Sequence, residues 1–208
     1  MLDEAVKQER SPLRQSAHHF KRGLILDAAA AVFAERGYLG ASTTRIADRL
    51  GMTQSNLYNY FSSKDEALAA ICLTALESYV ARIKGVLAAD HSIEDAVYQA
   101  VLGHFVTLNE NANYYLTFLT CHQFLPDPQR REAGSLSRDY EECLEKVIQK
   151  AVDQGELKPI PDMAFTVSSL LALCNNIAIA HKGQFGLTVE DLARRITDVF
   201  FSGLVQRR

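Results

Sequence analysis

Along most of the chain, apolar residues recur every three or four positions, the spacing that places them on one face of an α-helix. No segment alternates apolar and polar residues as a half-buried strand would, so the pattern predicts an all-α protein. The first helix is predicted over 18–36 and ends at Gly37; its apolar positions are Phe20, Leu24, Ile25, Ala28, Val32 and Phe33. Residues 1–17 are polar, contain Pro12 and carry no apolar stripe, which predicts a flexible arm.

Capping residues, prolines and glycines delimit the later helices. Ser63 and Glu66 have the spacing of a capping box, which predicts a long helix running to Ala89. At about 1.5 Å per residue this helix would span roughly 39 Å, enough to connect two parts of the molecule. Five further helices are predicted over 92–108, 114–122, 129–154, 162–182 and 188–204.

The stretch 42–64 predicts two short helices joined by a tight turn. Thr43 has the oxygen needed to cap the first, and Thr53 can cap the second. Gly51 lies between them, where a residue tolerant of positive φ is usually required. The inner faces are apolar and consist of Ile46, Ala47, Leu50, Leu57 and Phe61. This is the pattern of a helix-turn-helix, whose second helix enters the major groove of DNA.

The outer face of that second helix carries no charge, unlike most helix faces that meet only water. Amide side chains such as Asn and Gln can bond to the adenine edge, and hydroxyl groups can reach phosphates or bases. The uncharged outer residues are Gln54, Ser55, Asn56, Tyr58, Asn59 and Tyr60. The uncharged face therefore predicts a helix that contacts DNA bases. The alternative is a polar helix-loop-helix that binds no ligand.

The distribution of charge agrees with a DNA-binding N-terminal part. The chain as a whole carries a formal charge of −3. Through Lys64 it has nine Lys and Arg against six Asp and Glu, whereas the remainder has thirteen against nineteen. A mildly basic head on an acidic body is typical of a DNA reader with a second domain that does not face DNA.

Cysteine spacing and hydropathy exclude several other classes. None of the four cysteines forms a C-x-x-C pair, so we expect buried free thiols in a reducing cytoplasm and no metal or cofactor. The stretch 163–181 has no charge over nineteen residues, yet it contains Ser, Thr, Asn and His side chains that would be costly in lipid. We therefore expect a helix packed against other helices and no membrane span. The N-terminus has no apolar leader segment.

Residues 20–80 resemble the DNA-binding domain of the TetR/AcrR transcriptional regulators. The matching positions are Ile25-Leu26-Asp27-Ala28-Ala29, Phe33, Gly37, Thr43-Thr44, Ile46-Ala47, Gly51, Leu57-Tyr58-Asn59-Tyr60-Phe61, Lys64 and Leu68. The resemblance implies a nine-helix fold, with a three-helix DNA-binding head over 18–64, its helix-turn-helix at 43–62, and a helical body for ligand binding and dimerisation over 65–208.

Carried over by position, the resemblance implies three kinds of DNA contact. Thr43, Thr44 and Arg45 would begin the helix that lies across the phosphate backbone. Tyr60 and Lys64 would contact phosphates. Bases or adjacent phosphates would be reached from the second helix and its cap by Thr53, Gln54, Ser55, Asn56, Tyr58 and Asn59. Asn59 departs from the family pattern, so the base it would contact is open.

The family also implies a homodimer formed by the last two helices, which would read a palindromic operator. The sequence supports this independently, because the uncharged helix is too apolar to be half in water. A second apolar surface would come from Phe200, Phe201 and Leu204. The alternative is that both helices are the core of a monomer.

The body is expected to hold a small effector between its middle helices, within an aromatic wall that carries a few polar groups. Candidate lining residues are Phe105, Asn109, Tyr115, Phe118, His122, Phe124, Tyr140, Asn175 and Asn176. The C-terminal part is similar to regulators of lipid or steroid breakdown, which implies an acyl-CoA-type effector, although this sequence lacks the Trp-Tyr pair that often follows the Asn there and has Ala180-His181 nearby. Effector binding would pivot the helix over 64–89 and separate the two reading helices, lifting repression.

Two other function classes remain open on the residues alone. An enzyme could use His104, His122 or His181 with carboxylates, but the chain has no H-E-x-x-H, nucleophile elbow or phosphate loop. A helical adaptor that binds only protein is the other alternative. Salt dependence separates it from a DNA reader, because phosphate contacts make DNA affinity fall steeply with salt.

Overall fold

The computed structural model describes residues 2–89, 93–181 and 186–201, and over these ranges it contains nine α-helices, one short 3-10 helix and no strand. The all-α, nine-helix prediction is confirmed. The α-helices are α1 (Leu2–Gly40), α2 (Thr43–Arg49), α3 (Gln54–Tyr58), α4 (Lys64–Ala88), α5 (Ile93–Glu110), α6 (Ala112–Cys121), α7 (Asp127–Asp153), α8 (Met163–His181) and α9 (Val189–Phe201). The 3-10 helix is His122–Phe124.

The first helix begins much earlier than predicted. In the structure residues 2–17 continue α1, and the flexibility expected of this arm stays a prediction. Glu, Lys, Gln, Arg and Ala favour helix in this segment, and extending an existing helix needs no new nucleation. The apolar stripe also begins later, since Phe20 and Leu24 are 68% and 45% exposed and burial starts at Ile25. Gly37, with φ 65°, interrupts the helix where its end was predicted.

Two hydrophobic cores divide the molecule into a head and a body. The head core joins α1, α2 and α3 to the first half of α4, and its largest buried side chains include Phe33, Phe61 and Leu68. The body core joins the second half of α4 to α5, α7, α8 and α9. Helix α4 is therefore shared by both cores, which fits its predicted role as a connector.

Helix α6 is the second element shared by the two cores. Its residue Tyr115 lies in the body core, whereas Cys121 lies in the head core. On α1 it has two polar partners. Tyr114 donates to Asp27 Oδ1 at 2.8 Å, and Thr117 Oγ1 donates to the Ala30 carbonyl at 3.1 Å. The body thus contacts the head through α6 as well as through α4.

Most predicted helix caps are confirmed, with two shifts of one residue. Ser42 caps α2 by accepting from the Arg45 N–H, because Ser42 has the extended backbone of a cap and the predicted Thr43 is already helical. Glu66 reaches back to the N–H of Ser62 instead of that of Ser63. Thr53 and Ser63 cap α3 and α4 as predicted. Asp162 caps α8, and Thr188 and Asp191 form a reciprocal cap on α9.

All four cysteines are free and buried, as predicted. Their burial in two apolar cores raises the pKa of Cys72 and of Cys174 to about 12, which makes both thiols poor nucleophiles. Among the described helices, none combines the length and apolar character needed to cross a membrane.

Candidate nucleic-acid interface and effector cluster

The helix-turn-helix is held rigidly by its apolar inner face. Ile46, Ala47, Leu57 and Phe61 are each about 1% exposed. Gly51 adopts φ 62° in the turn, which lets the chain reverse so that the Met52 N–H bonds to the Ala47 carbonyl at 3.0 Å. Burial of one face therefore fixes which residues α2 and α3 present to solvent.

Except for Tyr60, which is half-buried, the outer face predicted for the second helix is exposed. No member of this face is charged, so it meets solvent with amide and hydroxyl groups only. The exposed residues here are the cap Thr53 with Gln54, Ser55, Asn56, Tyr58 and Asn59. On α2, Thr44 and Arg45 are exposed and Thr43 is half-buried. The predicted base-facing residues of α3, and Thr44 and Arg45 of α2, are thus open to solvent.

Three of these side chains bond to each other across the two helices. Gln54 Nε2 donates to Thr43 Oγ1 at 2.6 Å and to the Tyr58 hydroxyl at 3.3 Å. The Thr43 and Tyr58 hydroxyl oxygens are themselves 3.5 Å apart. Gln54 is therefore held in one orientation by its neighbours, a feature that the sequence spacing alone did not reveal.

Tyr60 packs on α1. Its ring stacks on that of His18, with centroids 4.7 Å apart and an interplanar angle of 24°. One turn further along α1, the Arg22 guanidinium lies over the Phe61 ring at 4.5 Å. These contacts fasten the end of the helix-turn-helix to α1, and the phosphate contact expected of Tyr60 stays a prediction.

Lys64 turns toward the protein instead of toward solvent. Its ammonium donates to the carbonyl oxygens of Tyr38 and Ala41, at 2.9 and 3.2 Å, and lies 3.9 Å from the centroid of the Tyr38 ring. The Tyr38 hydroxyl donates to Asp65, and this bond together with burial raises the pKa of Tyr38 to about 12. Lys64 therefore closes the loop between α1 and α2, a role that the sequence did not predict.

A cluster of hydrogen-bonded side chains lies in the middle of the body core; we call it the polar cluster. It consists of His104, Tyr115, Tyr140 and Asn175, which come from four different helices. His104 Nδ1 is 3.0 Å from the Tyr140 hydroxyl, and its Nε2 is 2.9 Å from Asn175 Oδ1. Tyr115 donates to the same Asn175 oxygen.

Burial keeps the polar cluster uncharged. It lowers the pKa of His104 to about 4, against the opposing effect of the Asn175 bond, so the imidazole is neutral near pH 7. Burial also raises the pKa values of the Tyr115 and Tyr140 phenols. Because Asn175 Oδ1 can only accept, His104 carries its proton on Nε2, and Nδ1 accepts from Tyr140.

One hydroxyl beside the polar cluster lacks a partner. Tyr79 packs its ring against His104 and Tyr115, with centroids 4.9 and 5.1 Å apart, yet its buried oxygen has no hydrogen bond within the described part of the chain. The groove that borders Tyr79, Arg82, His104 and Tyr140 is too narrow to hold a water molecule. A buried hydroxyl without a partner is costly and marks a place where a polar atom of a ligand could bond.

The predicted effector residues divide into two groups. Tyr115, Tyr140 and Asn175 belong to the polar cluster, with Phe105 buried and Phe118 half-buried around it. The other four do not join it. Asn109, His122 and Asn176 are exposed, and the Phe124 ring stacks on Tyr38 of the head core at 4.6 Å. His122 bonds instead to the Phe118 carbonyl of α6, and Asn176 to the Ala172 carbonyl of its own helix; the role of these four as effector contacts stays a prediction.

His104 and Tyr79 were missed as site residues. The sequence signal for both was a polar atom inside an apolar helical stripe, which is equally typical of ordinary core positions. What distinguishes them is the long-range contact: the partners of His104 are 36 and 71 residues away in sequence.

The outer face of α8 is uncharged and consists mostly of small residues. Phe165 is 71% exposed, and the residues that share this exposed face are Ala164, Ser168, Ala172 and Asn176. On α9 the expected second surface differs: Phe201 is only 4% exposed and belongs to the body core, Phe200 is half-buried, and Leu204 lies outside the described residues. Phe201 therefore stabilises the single chain and is not part of an outer surface.

No group of three or more His, Cys, Asp or Glu side chains that could hold a metal ion occurs in the parts of the chain that the structure describes.

Comparison with known proteins gives two family matches. Residues 25–71 match the family described as bacterial regulatory proteins, tetR family, and residues 90–204 match the family described as tetracyclin repressor-like, C-terminal domain. The chain is 29% identical over 109 residues to the HTH-type transcriptional activator FasR of Mycolicibacterium smegmatis, covering 52% of this chain and 49% of that protein. The match thus spans about half the length of that relative.

Two solved structures are similar over most of their length. The TetR family transcriptional regulator PfmR from Thermus thermophilus is 28% identical with a TM-score of 0.80, covering 88% of this chain and 99% of that one. AibR in complex with isovaleryl coenzyme A and operator DNA has a TM-score of 0.77 at 22% identity, covering 86% and 97%. At that identity the second similarity concerns the fold alone.

Proposed function

Since the chain belongs to the tetR family of bacterial regulatory proteins and is a DNA-binding transcriptional regulator and not an enzyme, we propose that it is a homodimeric repressor. In this proposal it binds a palindromic operator and is released by a small, largely apolar effector. Its site of action would be the cytoplasm, where the DNA is.

The exposed, uncharged face of α3 is the observation that carries DNA reading. A helix this short is stable only because its other face is buried, with Leu57 about 1% exposed. Amide and hydroxyl side chains supply the hydrogen-bonding groups that distinguish base pairs in the major groove. Arg45 and Thr44 on α2 are exposed and are suited to the flanking phosphates.

A homodimer through α8 and α9 is supported by the outer face of α8. Phe165 is 71% exposed, and small residues follow it at helical spacing, which permits a close approach of two helices. Two copies related by a two-fold axis would present two α3 helices to successive major grooves, and so would require a palindromic site.

The polar cluster is the proposed anchor for the effector. It is neutral, it is surrounded by apolar and aromatic side chains, and the Tyr79 hydroxyl beside it has no partner. Such a site suits a molecule with an apolar tail and one carbonyl-type head. The acyl thioester end of an acyl-coenzyme A has this form, and AibR, whose fold is similar, was crystallised with isovaleryl coenzyme A. Because the groove is closed, binding would have to widen it.

Release would follow from a shift between two body conformations. A change at the polar cluster can reach the head through α4, which spans both cores, and through α6, which carries Tyr115 on one side and Tyr114 on the other. An effector needs to favour the released state by only about 2.7 kcal/mol to weaken operator binding about 100-fold.

The first experiment is selection of bound fragments from randomised duplex DNA with purified protein at about 150 mM salt, near physiological ionic strength. Recovery of a palindrome supports a dimeric, sequence-specific regulator, and adding short- and long-chain acyl-coenzyme A thioesters to the recovered duplex then tests release. Recovery of no motif with ligand-stripped, refolded protein contradicts the proposal. Binding that selects no motif and is insensitive to salt would favour the alternative, a helical adaptor.

A further inference from the structure

The hydrogen bonds within the reading surface restrict what Gln54 can offer to a base. A side-chain amide has two N–H donors on its nitrogen and one acceptor oxygen. In the structure the Gln54 nitrogen is bonded to both Thr43 and Tyr58, at 2.6 and 3.3 Å. Both donors are therefore satisfied within the protein, and the oxygen Oε1 is the group that remains for DNA.

The two partners are placed to hold this arrangement. Tyr58 is four residues after Gln54, on the same side of α3, where side chains one turn apart meet. Thr43 lies on α2, which is packed against α3 through buried Ala47 and Leu57. Thr43 is also β-branched and so has restricted χ1 freedom. The amide is thus held from both helices of the helix-turn-helix.

We propose that Gln54 recognises its base pair through Oε1 alone, accepting from the exocyclic amino group of adenine or cytosine, and that Thr43 is the positioning residue that imposes this. The inference rests on the proposed operator binding. A free glutamine reads adenine with two bonds, one from N6 and one to N7. The held Gln54 has no N–H left for N7, so the purine N7 is irrelevant to its contact.

This assignment separates direct contact with DNA, made by Gln54, from the positioning of Gln54, which is the role of Thr43. Thr43 was expected to touch the phosphate backbone, but its hydroxyl accepts the shortest of these bonds and lies half-buried between the helices. Its contribution to DNA binding would therefore be indirect, through the orientation of Gln54. Tyr58 would act in the same way with the weaker of the two bonds.

The test begins with the selected operator and base analogues. Selection with Gln54→Ala identifies the base pair in each half-site whose preference disappears. Two synthetic duplexes modified at that pair are then compared. One lacks the exocyclic amino group, and the other lacks the purine N7 because it carries a 7-deaza purine. We expect loss of the amino group to weaken wild-type binding about fivefold per half-site, the value of about one hydrogen bond, and 7-deaza substitution to leave it unchanged.

The variant Thr43→Val tests the positioning role. It keeps the shape of the side chain but cannot accept the bond, so one N–H of the amide is freed and binding should become sensitive to 7-deaza substitution at the same pair. Preferences at the other operator positions and the midpoint of denaturant unfolding should not change. If Thr43 had a merely structural role, the effect of the variant would not be confined to this one base pair. Thr43→Ser retains the hydroxyl and should restore the wild-type response.

Three results would overturn the inference. In the first, wild-type binding depends on N7 and not on the amino group, which would mean that the amide faces DNA with its nitrogen. In the second, Gln54→Ala alters no operator position. In the third, Thr43→Val responds to the analogues as the wild type does. Failure of the wild type to select any motif is different, because it would remove operator binding itself and this inference with it.

Discussion

Tyr114 and Tyr115 are neighbours on α6, yet their hydroxyl groups bond to different parts of the molecule. Tyr114 donates to Asp27 of α1, in the head, at 2.8 Å, whereas Tyr115 donates to Asn175 of α8, in the polar cluster. The Thr117 bond to the Ala30 carbonyl adds a second connection from α6 to the head. Displacement of Tyr115 by a ligand would therefore move α6, and with it the Tyr114 hydroxyl that is bonded to Asp27 of α1.

We expect Tyr114→Phe to weaken the coupling between effector and operator. The variant keeps the ring and removes only the bond to Asp27, so effector-free operator affinity should stay within about threefold of the wild type. Release by an active acyl-coenzyme A should become roughly 5-fold less effective, the size of effect seen when a coupling contact is lost. Fluorescence anisotropy of labelled operator, with and without the effector, measures both. Tyr98→Phe on α5 is the matched control, and equal release by Tyr114→Phe and this control would contradict the coupling role.

Lys64 offers a direct choice between the sequence prediction and the structure. If Lys64 contacts a phosphate in each subunit of a dimer, the variant Lys64→Met should reduce the slope of log affinity against log salt by about 1.8. If Lys64 instead holds the loop by donating to the carbonyls of Tyr38 and Ala41, the variant should lower the free energy of unfolding by about 1–2 kcal/mol. In that case operator affinity falls while the salt slope stays unchanged.

The control for this measurement is Arg45→Met, which removes an exposed cation at the predicted backbone contact of α2. We expect it to reduce the salt slope without a comparable loss of stability. A reduced slope in both variants would establish Lys64 as a phosphate contact after all.

The sequence predicted features that depend on neighbours along the chain. Thr53 and the pair Thr188 and Asp191 cap helices because a side-chain oxygen reaches an N–H two or three residues away, and residue spacing determines this. Most of the buried side of the helix-turn-helix was predictable for the same reason, since periodicity assigns residues to faces; Leu50, which was assigned to this side, is 37% exposed. Where two hydroxyl residues were adjacent, as at Ser42 and Thr43, the backbone conformation decided between them.

Features that depend on distant residues were not predictable. The polar cluster requires His104, Tyr140 and Asn175 to meet from three helices, and no spacing in the sequence records this. Lys64 was interpreted from its charge, whereas its direction is set by the loop carbonyls near Tyr38, 26 residues earlier. The helical state of residues 2–17 was not predictable from periodicity, because this segment has helix propensity but no apolar stripe.

The outer face of α8 predicts a variant that separates the subunits. Ala172→Arg places a large charged side chain on this small, exposed face, so we expect a folded monomer by light scattering, with helical content unchanged by circular dichroism. Operator affinity should fall at least about 100-fold, because one α3 helix alone makes half of the contacts. Gln149→Arg, on the exposed side of α7, adds the same charge elsewhere and should remain dimeric. A dimeric Ala172→Arg protein would place the interface on another surface.

Acid should destabilise the protein through His104. Burial holds the pKa of His104 at about 4, compared with 6.5 for an unperturbed histidine. Between these values the unfolded chain binds a proton that the folded chain does not, so the free energy of unfolding falls as pH drops from about 6.5 to about 4. At about pH 5 the loss from this group is roughly 2 kcal/mol. His104→Gln should remove that part of the pH dependence in denaturant unfolding, whereas His122→Gln, which alters an exposed side chain, should keep it. Parallel pH profiles for the wild type and His104→Gln would show that a proton enters the polar cluster without cost.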